Sequence, residues 1–461
     1  MGLKRFLINF FLEGREINLK EYIKSIYQEL LSSPSMKIDF ASILFFLGRW
    51  LPFSIAIGIT TGVIASVMDL FVVNINKFLS QEVVYFFVYP LLVAFIVGKV
   101  IQKYPEVEGP GIGFAVLHLK TKKYIPFKVI FYKLVVSVLT LSGGFIAGRE
   151  GPSFFLGVAI GEWTGKIYGF GKKYKNLLGL IGGGAFTGAL LKAPLGSSIF
   201  AMELENMYDF DYRPFIPMII AAIVSYLTFS FFRGNHHFIE LHSKPIWNLD
   251  TIPYIVIMGL VISAVIYVYT LIFHFFQKFS KIFPPAKRPI AGTLAAIPIL
   301  LFLYLYIHST EILSAPANMK ILSDLANNSF PIDFDVLIIL GTIFVTSLTL
   351  AFGISGGLIL PVLIIGSAVG NIFGHFFPKE LITFTLAGMA SALAAAAKTP
   401  LAAIVMITEM SHDDVVIPMT AAVITSYLTS FGYSTYLGQK NIFRGNLRTF
   451  SVNYKKSDVS N

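Results

Sequence analysis

Long apolar runs separated by short polar or glycine- and proline-rich clusters make up most of the chain. No charged residue occurs from Thr251 to Gln277, from Pro289 to Thr310 or from Val336 to Pro378. Each run meets or exceeds the roughly 20 residues that an α-helix needs to cross a hydrocarbon core, so the pattern predicts an all-α, polytopic membrane protein. Punctuation near 104–111, 118–126, 166–176, 206–213, 233–250, 279–289, 309–334 and 411–417 predicts the breaks between segments. Ahead of the apolar body, Ile23, Ile26 and Tyr27 share one helical face, which predicts an amphipathic segment on the cytoplasmic membrane surface. The expected organisation is a lead (1–40), a first membrane repeat (41–232), a polar loop (233–250), a second membrane repeat (251–436) and a short basic tail (437–461).

Two segments inside the apolar body are too rich in glycine to be simple spans, Gly143–Ser153 and Gly353–Pro361. Irregular backbone at membrane depth is tolerated only where protein buries it or where it lines a polar cavity. The first of them holds Glu150 between Gly148-Arg149 and Gly151-Pro152. A charge at bilayer depth costs about 2.5–3.5 kcal/mol on insertion scales, so Glu150 is a functional candidate. The glycines and Pro152, followed by Ser153, Phe154, Phe155 and Leu156, read as the start of a helix. Helix starts present free N–H groups and the positive end of the macrodipole, which suits an anion.

The apolar body contains an internal repeat. Gly182, Lys192-Ala193-Pro194-Leu195 and Glu203 recur, at constant register, as Gly388, Lys398-Thr399-Pro400-Leu401 and Glu409. Upstream, Gly157, Gly161 and Gly165 correspond to Gly366, Gly370 and Gly374 with the register shifted by three. That alignment sets the Gly148–Pro152 break opposite Gly357-Leu358-Ile359-Leu360-Pro361. Spaced glycines by themselves indicate close helix packing. Broken segments at corresponding places in two halves indicate a duplicated transporter.

Composition agrees: 55% hydrophobic and 13% charged residues exclude an ordinary soluble enzyme. The absence of cysteine removes disulfides, thiolate metal sites and cysteine nucleophiles. Net charge is +10. In the tail, Lys440, Arg444, Arg448, Lys455 and Lys456 face only Asp458, which by the positive-inside rule puts the C-terminus in the cytoplasm. Lys120, Lys122, Lys123 and Lys128, and likewise Lys166, Lys172, Lys173 and Lys175, flank apolar spans and form no continuous groove for a nucleic acid. Met1–Gly14 lacks a signal-peptide cleavage site.

Gly109-Pro110-Gly111-Ile112-Gly113, Gly148-Arg149-Glu150-Gly151-Pro152 and Gly357-Leu358-Ile359-Leu360-Pro361, in this order, resemble the three anion-pathway signatures of the CLC family of chloride channels and chloride/proton exchangers. The likeness covers roughly residues 45–447. It implies two inverted repeats of broken, tilted helices whose starts converge on the anion, in a homodimer with one pore per subunit. It also implies both termini in the cytoplasm, a multi-pass place in the inner membrane of a prokaryote, and no cofactor or metal. On this resemblance Pro110, Gly111 and Ile112, the amides of Arg149, Glu150 and Gly151, and those of Leu358 and Ile359 line the sites for chloride or another small anion such as nitrate. The Glu150 carboxylate competes for the outer site, and its protonation gives gating or proton coupling. An ion pair of Glu150 with Arg149 or a lysine is the structural alternative.

The chain departs from the family pattern in four places. Pro110 stands where a serine hydroxyl usually meets the central anion, a change the family associates with nitrate preference, and Gly113 replaces a proline. Leu204 occupies the inner position where family exchangers carry a carboxylate, and Leu195 and Ile199 are expected to line the way from there to Glu150. Glu205, Asp209 and Asp211 lie nearby as substitutes or as a solvated loop. The tyrosine expected at the inner side of the central site falls on Phe443, with Tyr436 as the fallback. Uncoupled conduction and proton-coupled exchange both remain open. The short tail leaves no room for the paired nucleotide-binding domains that many members append.

Other residues take plainer readings. Gly353-Ile354-Ser355-Gly356 matches the nucleophile setting of intramembrane serine proteases, but candidate bases His375 and His412 are distant: His375 follows Ser355 by about six helical turns. His236, His237 and His242 with Glu240 fit no strong metal signature. Asp69 reads as a helix-end cap or as a polar contact inside the membrane. Glu203, which has its repeat mate in Glu409, reads as structural, capping or pairing near a helix end. Pro110→Ser should raise chloride flux relative to nitrate, because a hydroxyl donor matters more to the smaller, more strongly hydrated ion; bi-ionic flux ratios for both proteins check this.

Overall fold

The computed structural model describes residues 34–435 apart from 83, 122, 170–173, 206–214, 308–314, 414 and 431–433. The amphipathic lead up to residue 33, Asp209, Asp211, Tyr436 and Phe443 lie outside the described residues, and so does the side chain of Glu205. The chain divides into two compact units, Met1–Phe53 and Ser54–Asn461. Of the first, residues 34–53 are described and are helical.

Helix α1 is Pro34–Leu79 and α2 is Tyr85–Lys103. Four shorter helices follow: α3 (Ile112–Leu119), α4 (Phe127–Ser142), α5 (Glu150–Ile167) and α6 (Lys175–Leu191). The first half closes with α7 (Pro194–Glu205) and α8 (Phe215–Arg233). The second half contains α9 (Ile252–Ser280), α10 (Arg288–Ile307), α11 (Ala315–Asn327), α12 (Ile332–Thr349), α13 (Ile359–His375), α14 (Leu381–Ala397), α15 (Pro400–Ser411) and α16 (Val416–Thr429). Among the described residues six helices are long and apolar enough to cross a membrane, and the only strand-like pairing is one isolated bridge, Gly148 with Gly357.

The charge-free run from Val336 to Pro378 breaks at Gly353–Leu358 between α12 and α13, within the glycine-rich segment Gly353–Pro361 that the sequence marks as irregular. One sequence expectation needs correction. The polar stretch 309–334 is not merely a break, because α11 forms within it. Its few apolar residues, Ile321, Leu322 and Leu325, are buried at helical spacing, which a scan for long apolar runs misses.

The repeat is visible in the chain's turns. Helices α6 and α14 both end on a lysine in the left-handed region, Lys192 at φ 54° and Lys398 at φ 59°. Pro194 and Pro400 then begin α7 and α15, since proline fits a helix's first turn but cannot continue a helix. Lys398 Nζ donates to the Ser430 carbonyl (3.1 Å) and hydroxyl (2.5 Å), and Lys192 Nζ donates to the His236 carbonyl.

Each repeat caps the other. Glu409, on α15, accepts hydrogen bonds from the Leu195 and Gly196 amides at the start of α7, at 3.1 and 2.7 Å. Glu203, on α7, accepts from the Leu401 and Ala402 amides at the start of α15, at 3.2 and 2.9 Å. Reciprocal contacts of this kind require a two-fold relation between the halves, as in an isologous interface. The carboxylates satisfy N–H groups that a helix start leaves without an intrahelical partner. Glu203 therefore has the structural role that its repetition predicts.

The repeated glycines set the spacing of paired helices. A Cβ at Gly161 would fall 1.9 Å from the Leu178 carbonyl oxygen, and one at Gly157 2.2 Å from that of Gly182. In the second half, Gly366 and Gly370 stand in the same relation to the carbonyls of Gly388 and Phe384, at 2.3 and 2.5 Å. Backbones this close leave no room for a methyl group. Gly161→Ala should therefore cost about 1–3 kcal/mol by overpacking against an oxygen that cannot rotate away, read as a lower melting temperature in detergent.

Candidate anion pathway

Helices α5 and α13 begin side by side. Their preceding glycines pair through two backbone hydrogen bonds, Gly148 N to Gly357 O at 2.9 Å and Gly357 N to Gly148 O at 2.6 Å. Glu150, the first residue of α5, is fully buried, and its Oε1 accepts from the Ile359 amide and, at 3.3 Å, from the Leu360 amide. An acid from one half thus occupies the amide donors that open a helix of the other half. Oε2 has no hydrogen-bond partner. The glycines make the approach possible: a Cβ at Gly148 or Gly357 would stand 2.1 or 2.2 Å from a Glu150 carboxylate oxygen. Leu360 joins Ile359 as a donor and was not among the residues expected from the sequence.

The first motif meets the other two at Gly151, where a Cβ would fall 2.3 Å from the Pro110 carbonyl oxygen and 2.9 Å from Gly357 Cα. Gly109 and Gly111 adopt φ of 68° and 92°, which glycine reaches without the penalty other residues pay. Gly109 N donates to the Gly353 carbonyl at 3.0 Å, and α3 starts at Ile112. Behind this loop lies Lys133, fully buried on α4, with Nζ donating to the carbonyls of Val107 (2.9 Å) and Gly109 (2.7 Å). Sequence reasoning missed it. The signal was there: Lys133 interrupts an otherwise uncharged run from Val129 to Ala147.

Arg149 does not pair with Glu150. Its Nη1 lies 2.6 Å from Asp69 Oδ1, and Asp69 Oδ2 lies 2.7 Å from Arg233 Nε. Asp69 is therefore a buried polar contact and not a helix-end cap. It ties α1 to the residue that precedes Glu150 and to the last residue of α8.

A cavity of about 310 Å³ is lined by Pro110, Gly111, Gly113 and Leu358, and extends to charged residues before α3 and around the α9–α10 turn. Leu204 does not line it; it is 2% exposed, next to the capping Glu203. Leu195 does not line an interior route either, being exposed at the start of α7 where its amide is held by Glu409. That position follows from the cap, which fixes Leu195 on the outer turn of a short helix.

The protease arrangement is absent. Ser355 Oγ is buried against Ser137 Oγ at 2.9 Å, His375 Nδ1 meets Ser329 Oγ at 3.1 Å, and the His412 ring packs on His237 with centroids 4.4 Å apart. Neither histidine is a base for this serine. Among the described residues no group of three or more histidines and acids could hold a metal ion.

Asp69→Ala should leave two arginines without their shared acid and cost about 3–5 kcal/mol, as breaking a buried ion pair does. A matching fall in melting temperature checks this.

Residues 93–430, well over half of the chain, match the family of voltage gated chloride channels. The chain is 26% identical over 394 residues to an uncharacterized protein of Methanocaldococcus jannaschii, covering 82% of this chain and 92% of that one. It is 27% identical over 329 residues to the H(+)/Cl(-) exchange transporter ClcA of Yersinia pestis, covering 68% of this chain and 66% of ClcA. Among solved structures, a CLC-type fluoride/proton antiporter superposes with a TM-score of 0.75 at 21% identity, over 86% of this chain and 98% of that one. A slow cyanobacterial Cl-/H+ antiporter gives 0.75 at 22% identity, over 86% and 99%. At these identities the solved structures speak to the fold, and the family match speaks to descent. The chain belongs to the CLC family of voltage gated chloride channels.

Proposed function

We propose that this protein carries chloride and similar small anions across a membrane, and that the Glu150 carboxylate holds the anion's place until it is protonated. The observation that carries this reading is the carboxylate seated on the Ile359 and Leu360 amides. Donors that receive one anion can receive another of like charge and size. Partial charges at helix starts hold an ion weakly enough to release it, where a fixed lysine would trap it. A neutral carboxylic acid loses most of its attraction to these amides, so protonation vacates the site. Pro110 brings no side-chain donor to the pathway, which supports acceptance of nitrate beside chloride.

The proposal includes Pro110, Gly111, Ile112, Arg149, Gly151, Leu358 and Ile359 as the lining, with Phe443, or Tyr436, closing the inner side. It also includes a homodimer with one pore in each subunit, embedded in lipid, and both termini in the cytoplasm of a prokaryote. Family membership supports these features. On coupling, the apolar Leu204 supports uncoupled conduction, whereas the exchange activity named for the Yersinia relative and for the structural neighbours supports proton exchange. Liposomes in which anion flux and proton movement are followed together separate the two: an anion gradient that drives protons uphill means exchange, and flux without proton movement means a channel.

Flux should rise as pH falls, because protonated Glu150 leaves the amides. Glu150→Gln and Glu150→Ala should both be permanently open at that site and show flux independent of pH. Unchanged pH dependence in both variants removes Glu150 from the mechanism.

A further inference from the structure

The cavity that begins at Pro110, Gly111 and Leu358 ends among four charged side chains, Glu106, Glu108, Lys281 and Arg288. Their arrangement is uneven. Arg288, the first residue of α10, places Nη1 3.0 Å from Glu108 Oε1 and donates from Nε to the Phe283 carbonyl at 3.1 Å. A guanidinium has five N–H donors, so most of its fork is left for another acceptor. Lys281 follows α9, and among the described residues no carboxylate pairs with it. Glu108 is fixed by the anion loop it precedes: Gly109 N is held by the Gly353 carbonyl at 3.0 Å, and a Cβ at Gly353 would fall 3.2 Å from Glu108 Cγ. Its side chain remains one-third exposed, at 32%.

We propose that Arg288 and Lys281 form an anion-capture site at the mouth of this cavity, which takes monovalent anions such as chloride or nitrate, and that Glu108 is its built-in competitor. Two cations at the mouth concentrate anions locally and feed them toward Pro110, Gly111 and Leu358 at the far end of the cavity, where Leu358 directly precedes the Ile359 amide. Glu108 holds the guanidinium in place and withdraws part of its charge, so that an arriving anion shares or displaces the carboxylate and is not trapped. The relation repeats, at the mouth, that of Glu150 to the amides of α13. Glu106 adds a second negative charge to the lining and limits how strongly the site holds an ion.

The test is anion flux in liposomes with anion concentration varied on each face in turn, and the readout is the half-saturating concentration on the more sensitive face. Glu108→Gln should lower it by about three- to fivefold, the size expected of a partly screened charge pair. Arg288→Gln and Lys281→Gln should each raise it by a similar factor, Arg288→Lys should keep it near the starting value, and Glu108→Gln combined with Arg288→Gln should behave as Arg288→Gln alone. Opposite signs for Glu108→Gln and Arg288→Gln are the signature of capture. If the two shift half-saturation in the same direction, or lower only the melting temperature, the pair is a structural latch and the proposal fails. Should Arg288→Gln not fold, Glu108→Gln and Lys281→Gln decide by the same opposition of sign. The proposal rests on anion transport: no flux in the starting protein sinks that reading, whereas flux with unmoved half-saturation sinks only this one.

Discussion

Backbone N–H groups left free at the start of a helix, held at membrane depth, are the constraint on which the rest of this structure depends. In hydrocarbon such donors must find an acceptor, and none is available from water. Two of them, on Ile359 and Leu360, are met by the Glu150 carboxylate of the other repeat. The arrangement works only because a glycine from each half, Gly148 and Gly357, lies against the acid, so that backbone and carboxylate approach within distances no side chain would permit. On the proposed function, an acceptor that protonation removes makes these donors an exchangeable site, whereas a permanent cap would only end a helix.

The same constraint appears in permanent form at α7 and α15. Glu203 and Glu409 each accept two amides from the helix start of the opposite repeat, and no exchange is needed there. The two uses differ in how the carboxylate oxygens are engaged. Glu203 and Glu409 use both oxygens. Glu150 leaves Oε2 without a hydrogen-bond partner, at a point where the three motif loops meet.

Fixed charges are arranged around this point without touching it. Asp69 engages Arg149 and Arg233 together, so that the guanidinium next to Glu150 in sequence is directed elsewhere in space. Lys133 is held by two carbonyls behind the Pro110 loop, where it adds positive potential. Asp69, Arg149, Arg233 and Lys133 each find a charged or carbonyl partner locally, which keeps their burial tolerable.

Much of this was legible in the chain. Apolar runs predicted an all-α membrane protein, the recurrence of Lys-x-Pro-Leu and Glu predicted two repeats, and an acid between glycines at bilayer depth singled out Glu150. These signals are local, because membrane solvation and helix termination act on a few neighbouring residues at a time. Other features had no local signal. Nothing near Asp69 in sequence reveals that it joins Arg149 and Arg233, and nothing near Leu360 marks its amide as a donor to Glu150. The cap of Glu203 on α15, the surface position of Leu195 and the burial of the isolated α11 apolar residues were likewise decided by tertiary structure. Each depends on which helix start or side chain the fold brings within about 3 Å, the range over which a hydrogen bond or ion pair acts, and that proximity is set by the two-fold packing of the repeats and not by spacing along the chain.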